Sequence, residues 1–304
     1  MFTNKTGLII PTRNRPKELN ATLDFLSKNK INFFKKIVID SSNKNLKEEI
    51  LNICNKFKVE LYFSKPSTSK QRNLGLKKLA NCPIDFVMFL DDDLKFYNNS
   101  FKIMNSYIKK RKHEFSGFGF NNVNYKKISL LEKIKFSKII EKFGLYSSTK
   151  GKVLRNGWHT KCQNIKKNVE VQWLTTQCSI FNKLAVKDIY FDRTFGAYSY
   201  LEDLDFSLKL NLKKKNIFLI ISGARYIHLN EIARRSFLFG YYEFINRYKI
   251  VKRFNLSKRN FYITAFCKII LTIFSILINY NNIFKLSGNF ISIILCILSN
   301  RIVK

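Results

Sequence analysis

The chain has 304 residues, 46% hydrophobic and 25% charged, which excludes a disordered protein, and its 11 Gly and 4 Pro exclude a fibrous or linker-like one. Six Cys, at 54, 82, 162, 178, 267 and 296, form no CxxC pair and no Cys/His cluster at zinc spacing, so a metal-ribbon fold is excluded and reduced thiols in a cytoplasmic compartment are expected. The net charge is +34. It suits polyanionic partners, but the Lys residues are dispersed rather than gathered in one tract, as a solvated surface also requires.

The first hundred residues alternate strand and helix signals. Leu8–Pro11 reads as a short strand ending in a turn. Pro16 suits the first turn of a helix running to about Lys28. Lys36–Asp40 (KIVID) is a β-branched strand, Asn45–Phe57 a helix and Val59–Phe63 a third strand. Ser69–Ala80 has helical spacing, and Phe86–Leu90 (FVMFL) is an apolar strand that ends in Asp91-Asp92-Asp93. This order predicts an α/β fold with a mostly parallel sheet flanked by helices, and ligands in such sheets bind at the carboxyl ends of the strands. Three predicted strand ends carry polar groups: Thr12 and Arg13, Asp40, and Asp91–Asp93.

Residues 118–165 are irregular and Lys-rich, with Phe136, Ile139, Ile140 and Phe143 on one helical face. Further on, Leu204–Leu210 reads as helix, Ile217–Ile221 as strand, and Tyr226–His228 as the end of another strand. The amino-terminal apolar stretch, MFTNKTGLIIP, is too short for a signal peptide. Residues 207–260 hold thirteen Lys and Arg against Glu231 and Glu243. Two apolar runs follow, 261–278 with Lys268 as its one charge, and the shorter 289–298. Because a span needs roughly 20 apolar residues, these runs predict a membrane-associated helical hairpin or amphipathic pair. A basic collar beside them suits an anionic membrane surface. The expected division is 1–235 as the α/β domain and 236–304 as a basic, apolar helical tail.

Three consecutive carboxylates after an apolar strand repel one another, and proteins tolerate that where a cation binds; Mn2+ or Mg2+ takes carboxylates together with substrate phosphates. Glu202, Asp203 and Asp205 open a helix, where carboxylates offset the helix dipole and where one of them can act as a general base. His228, one of three His, is a competent metal ligand at a strand end. Arg72, in Lys70-Gln71-Arg72-Asn73, carries a fork suited to phosphate or carboxylate.

The segments IIPTRNRPKELNATLDFL, IVIDSS, SKQRNLGL, FVMFLDDD, VQWLTTQCSIF, LEDLDFSLKL and ARYIHL occur in this order over about residues 5–230. Together they resemble the family 2 glycosyltransferases, whose fold is called GT-A. The resemblance implies an inverting hexosyltransferase-type enzyme that moves a sugar from a nucleotide-diphosphate donor to a glycan or lipid-linked acceptor. It implies that Pro11, Thr12, Arg13, Asp40, Arg72, Asp91 and Asp92 bind the nucleotide, and that Asp93 and His228 bind the metal. Asp203 would be the catalytic base, with Glu202 and Asp205 beside it. Trp173, Thr176 and Gln177 would line the donor or acceptor pocket. Surface polysaccharide assembly at the cytoplasmic face of the membrane is the expected setting. The chain departs from the family pattern in DSSN after Ile39, where many members have a second acidic residue and Gly-Ser, and in Lys209, which stands where the family has Arg.

Two other classes would leave signatures in the sequence. A nucleic-acid-binding protein would show an RRM, KH, zinc-finger or helix-turn-helix signature, and none is present, so no nucleic-acid partner is expected. A sugar nucleotidyltransferase would carry a Gly-rich phosphate loop near the amino terminus, but no Gly lies between Gly7 and Gly75.

Overall fold

Strand β1 (Thr6–Thr12) is buried throughout, so both of its faces are apolar and its side chains divide between two cores. Leu8 and Ile10 join one core and Ile9 the other. The same period of two recurs in β2 (Lys35–Asp40), which sends Val38 one way and Ile37 and Ile39 the other. In β4 (Phe86–Leu90), Phe86, Met88 and Leu90 oppose Val87 and Phe89. With β3 (Glu60–Phe63), these strands pair in parallel in the order β3-β2-β1-β4. The computed structural model describes residues 2–124, 141, 144–196, 199–213, 218–229 and 234–301. The helical face expected at Phe136, Ile139, Ile140 and Phe143 lies outside the described residues.

The crossover helices follow the local signals. Helix α1 (Pro16–Lys28) has Pro at its first position and buries Leu19, Thr22, Leu23 and Leu26, a stripe at helical spacing. Helix α2 (Lys47–Lys56) buries Ile50 and Cys54 on the same core. Helix α3 (Thr68–Leu79) is capped by Ser67, whose side chain accepts from Lys70 N. It buries the polar residues Ser69, Gln71, Arg72 and Asn73, and Gly75 brings it close to β1: a Cβ there would lie 2.6 Å from Ile9 Cγ2.

Beyond β4 the sheet becomes mixed. The elements are β5 (Leu94–Phe96), α4 (Ser100–Arg111), β6 (Gly117–Asn122), β7 (Val169–Val171), β8 (Cys178–Asn182), the one-turn α5 (Lys183–Val186), α6 (Glu202–Lys213) and β9 (Phe218–His228). The complete order is β3-β2-β1-β4-β8-β6-β9-β5, with β7 on β9. Strand β8 is antiparallel to both neighbours, β6 and β9 run parallel, and β5 and β7 run antiparallel to β9. Phe89 meets Phe181, Phe191 and Phe206 at 5.8, 5.3 and 6.0 Å between ring centroids. Phe206 lies on α6, so this aromatic cluster fastens the helix that carries Glu202 and Asp203 to the sheet.

The chain forms two compact units, Met1–Tyr125 with Cys162–Asn230, and Lys126–Lys161 with Glu231–Lys304. The first holds the sheet. The second holds α7 (Phe237–Arg253), α8 (Lys258–Ile276) and α9 (Asn282–Arg301). Its core gathers Trp158, Phe244, Tyr248, Phe261 and Cys296. Helices α7 and α9 come very close at two glycines: a Cβ on Gly288 would lie 2.2 Å from Phe237 O. Beside that crossing, Lys285 Nζ pairs with the buried Glu243 Oε2 at 3.0 Å. The pair neutralises the Lys285 charge inside the unit, in the part of α9 that precedes the apolar run at 289–298. Helix α8, and α9 through Ser299, are long and apolar enough to cross a membrane. Their outer faces expose Phe266, Phe274, Phe284 and Ile294, and Leu277 and Ile278 are exposed just beyond α8.

Candidate active site

The carboxyl ends of β1, β2 and β4 lie side by side because these strands pair in register, Thr12 opposite Asp40 and Ile9 opposite Phe89. Gln71 stitches two of the ends together, its Nε2 donating to Thr12 O at 2.9 Å and Ile39 O at 2.7 Å. Asp40 is buried. Its Oδ1 accepts from Ser42 N at 2.9 Å and from the Ser42 hydroxyl, while Oδ2 has no hydrogen-bond partner among the described residues. A buried carboxylate oxygen in that state can accept a hydrogen bond from water or from a bound ligand.

Each carboxylate after β4 is held differently. Asp91 Oδ1 accepts from Arg72 Nη2 at 2.9 Å. Asp92 Oδ2 accepts from the Thr12 hydroxyl at 2.6 Å, and Asp92 O from Thr22 at 2.7 Å. Asp93 is 1% exposed. Its Oδ2 takes Arg15 Nη1 at 2.7 Å, and its Oδ1 lies 3.1 Å from His228 Nε2. The antiparallel β5–β9 ladder places the imidazole there, with Leu94 opposite His228 and Leu229 N donating to Asp93 O at 3.0 Å. Asn124 brackets the same backbone, accepting from His228 N and donating to His228 O, both at 2.8 Å.

Asp91, Asp93 and His228 bring one donor atom each to within 4.8 Å of one another. Two carboxylates and an imidazole are a donor set for a divalent cation such as Mn2+, and their spacing fits a single ion. Electrostatics agree. Burial pushes the Asp92 carboxyl up to about 7, with Asp93 adding to the rise and Thr12 and Arg15 opposing it. Asp91 is also raised, by burial ahead of the pull of Arg72. Burial lowers His228, but the hydrogen bond and charge of Asp93 outweigh it, and the imidazole titrates above its ordinary value. A bound cation relieves this crowding.

Arg72 joins this cluster to the second acidic motif. It is buried, and its Nη1 pairs with Glu202 Oε1 while Nη2 holds Asp91. Glu202 Oε2 accepts from the Ser69 hydroxyl at 2.8 Å. Burial drives Glu202 up to about 7 against the pull of Arg72 and Ser69. Asp205 is fully buried and pairs with Lys209 Nζ at 2.8 Å, one helical turn along α6. Asp203 is half-buried at the start of α6.

The other expected site residues are distributed as follows. Pro11 and Thr12 are buried at the end of β1, and Arg13 is exposed in the following loop. Thr176 and Trp173 are buried at 2% and 7% exposure. Gln177 O accepts from Asp91 N at 2.8 Å, and its side chain from the Tyr226 hydroxyl at 3.3 Å, so this segment abuts the acidic turn. Sequence reasoning missed Arg15, Thr22, Ser69 and Asn124. Arg15 alone left a signal, since it occupies the helix-capping position before Pro16, where a short polar residue is usual.

The sequence profile of Glycosyl transferase family 2 matches residues 8–188, well over half of the chain. Among solved structures, the chain is similar to GalNAc-T7 with UDP, GalNAc and Mn2+, with a TM-score of 0.51 and 12% identity over 76% of this chain and 44% of that one. It is also similar to TarS of S. aureus, with a TM-score of 0.49 and 17% identity over 82% of this chain and 42% of that one. The first of these is a likeness of fold, and the chain spans less than half the length of either protein. Comparison with curated protein sequences finds no match.

Proposed function

The chain belongs to glycosyl transferase family 2, and from that membership we propose that this glycosyltransferase moves a sugar from a nucleoside-diphosphate donor to an acceptor hydroxyl with inversion. The observation that carries the proposal is the meeting of Asp91, Asp93 and His228 at the end of β4, with Arg72 linking Asp91 to Glu202. Asp91, Asp93 and His228 would hold Mn2+ or Mg2+, the imidazole favouring Mn2+. When bound, the cation offsets the negative charge that develops on the departing diphosphate.

The chain's own residues account for the rest. Asp40, whose buried Oδ2 has no hydrogen-bond partner among the described residues, is assigned to a polar edge of the nucleotide base, and Pro11, Thr12 and Arg13 to the pocket around it. Arg72 sits beside the diphosphate position. Glu202 is held by Arg72 and Ser69, and Asp205 by Lys209; the resemblance to the family assigns the general base to Asp203, at the start of α6. Asp203 takes the proton of the acceptor hydroxyl as that oxygen bonds to the anomeric carbon, and the bond from that carbon to the diphosphate breaks on the opposite face. Trp173, Thr176 and Gln177 line the sugar or acceptor side.

We assign residues 1–235 to catalysis and 236–304 to a membrane-associated segment. The exposed apolar faces of α8 and α9, with the exposed Lys252, Arg253, Lys258 and Arg259 nearby in sequence, support attachment to an anionic bilayer on its cytoplasmic side. A membrane-held enzyme suits a glycan or lipid-linked acceptor, as in surface polysaccharide assembly.

The test is calorimetry of UDP-, GDP- and dTDP-sugars with and without Mn2+. One donor should bind in a metal-dependent way, and Asp203→Asn should abolish transfer while keeping that binding. Folded protein that binds none of the donors would overturn the proposal.

A further inference from the structure

We propose that Arg15 is a built-in counter-cation of the metal site, one that holds Asp93 in its liganding pose and makes cation binding depend on the donor's diphosphate. This rests on the metal-site reading above. One guanidinium nitrogen of Arg15 reaches Asp93 Oδ2 at 2.7 Å and Asp92 Oδ1 at 3.3 Å. The other Asp93 oxygen faces His228. Arg15 thus occupies one side of the carboxylate and leaves the other to the Asp91–Asp93–His228 cluster.

The backbone explains how the guanidinium comes to be there. Arg15 stands at the N-cap of α1, where a Ser, Thr, Asp or Asn would bond the first free N–H groups, yet its side chain makes no capping bond. Its carbonyl accepts from Leu19 N at 3.0 Å, so the helix fixes the backbone. The side chain instead crosses from the loop to the buried acidic turn, with 34% of it exposed against 1% for Asp93.

Arginine keeps its charge at any accessible pH. A divalent cation between Asp91, Asp93 and His228 would therefore share Asp93 with a permanent positive charge that opposes it. In the free protein, Arg15 steadies the ligand but weakens the site. A diphosphate brings negative charge that offsets Arg15, and cation and nucleotide then bind cooperatively, each raising the other's affinity.

The experiment measures Mn2+ binding to the full chain by electron paramagnetic resonance, first with Mn2+ alone and then with UDP, GDP or dTDP. Arg15→Gln should bind Mn2+ alone about tenfold tighter or more, because one nearby unit charge is removed. In that variant, the gain in Mn2+ affinity on adding nucleotide should shrink. Arg15→Lys keeps the charge and should match the wild type with Mn2+ alone. If Arg15→Gln binds Mn2+ equally or more weakly, Arg15 is only a prop for Asp93 and the proposal fails. Arg15→Met repeats the comparison should the Gln variant not fold. If the wild type binds Mn2+ neither alone nor with any of the nucleotides, it is the metal-site reading itself that fails.

Discussion

Glu202→Gln isolates an electrostatic burden that the start of α6 carries. Glu202 is 6% exposed, and burial lifts its carboxyl from the ordinary 4.5 to about 7, even with Arg72 and Ser69 pulling it down. Between those values the native state holds a proton that the unfolded chain has lost, so stability must fall as pH rises through the interval. At about 1.36 kcal/mol per pH unit, the loss reaches about 3 kcal/mol by pH 8, a large share of the stability of an ordinary domain. Gln keeps the shape of the neutral acid and does not titrate. The assay is urea unfolding of metal-free protein at pH 5 and pH 8. The wild type should lose about 3 kcal/mol more than Glu202→Gln between the two conditions. Asp92, also lifted to about 7, adds the same slope to both proteins, so the difference belongs to Glu202. Equal slopes, or a steeper fall in the variant, would refute the reasoning.

Two further outcomes follow from the packing. Phe206→Ala empties the centre of the aromatic cluster around Phe89 and should destabilise the sheet unit by about 3–5 kcal/mol in chemical denaturation; a loss below about 1 kcal/mol would mean that Phe191 and Phe181 close the gap. Phe266→Glu with Phe274→Glu places negative charge on the exposed apolar face of α8. Co-sedimentation with vesicles containing anionic lipid should then drop while the fold, followed by circular dichroism, stays intact. Undiminished co-sedimentation would assign the membrane contact to another surface.

The half of the sheet that reads well from sequence is the half whose signals are local. β1, β2 and β4 are short apolar runs, α1 opens on Pro16, α3 is capped by Ser67 and α6 opens on acidic residues, so each was visible within a window of ten or so residues. The boundaries of β4 match the expectation to the residue, and α1 runs from Pro16 to Lys28, close to the helix expected there. The strands from β5 onward were less legible. β5 and β7 have three residues each, and β6, GFGFNN, is two-thirds glycine and asparagine. Gly119 is needed because a Cβ there would lie 2.8 Å from Leu174 Cδ2, a contact set by a segment some fifty residues away.

The candidate site divides in the same way. The three aspartates, the acidic start of α6, Arg72 and His228 were all singled out, since runs of like charge and rare His residues stand out in one dimension. Their grouping was not visible. His228 reaches Asp93 through the β5–β9 ladder, across more than a hundred residues of chain. Arg15 reaches Asp93 because the β1–α1 loop and the end of β4 are neighbours in a parallel sheet. Arg72 bridges Asp91 and Glu202 because α3 and α6 lie over the same face of that sheet. The sequence by itself determined the α/β class, the inventory of charged groups and the strand ends on which they sit, because propensity and periodicity act over a few residues. Only the tertiary structure decided which carboxylate faces which cation, because strand order and register bring together residues that no local rule connects.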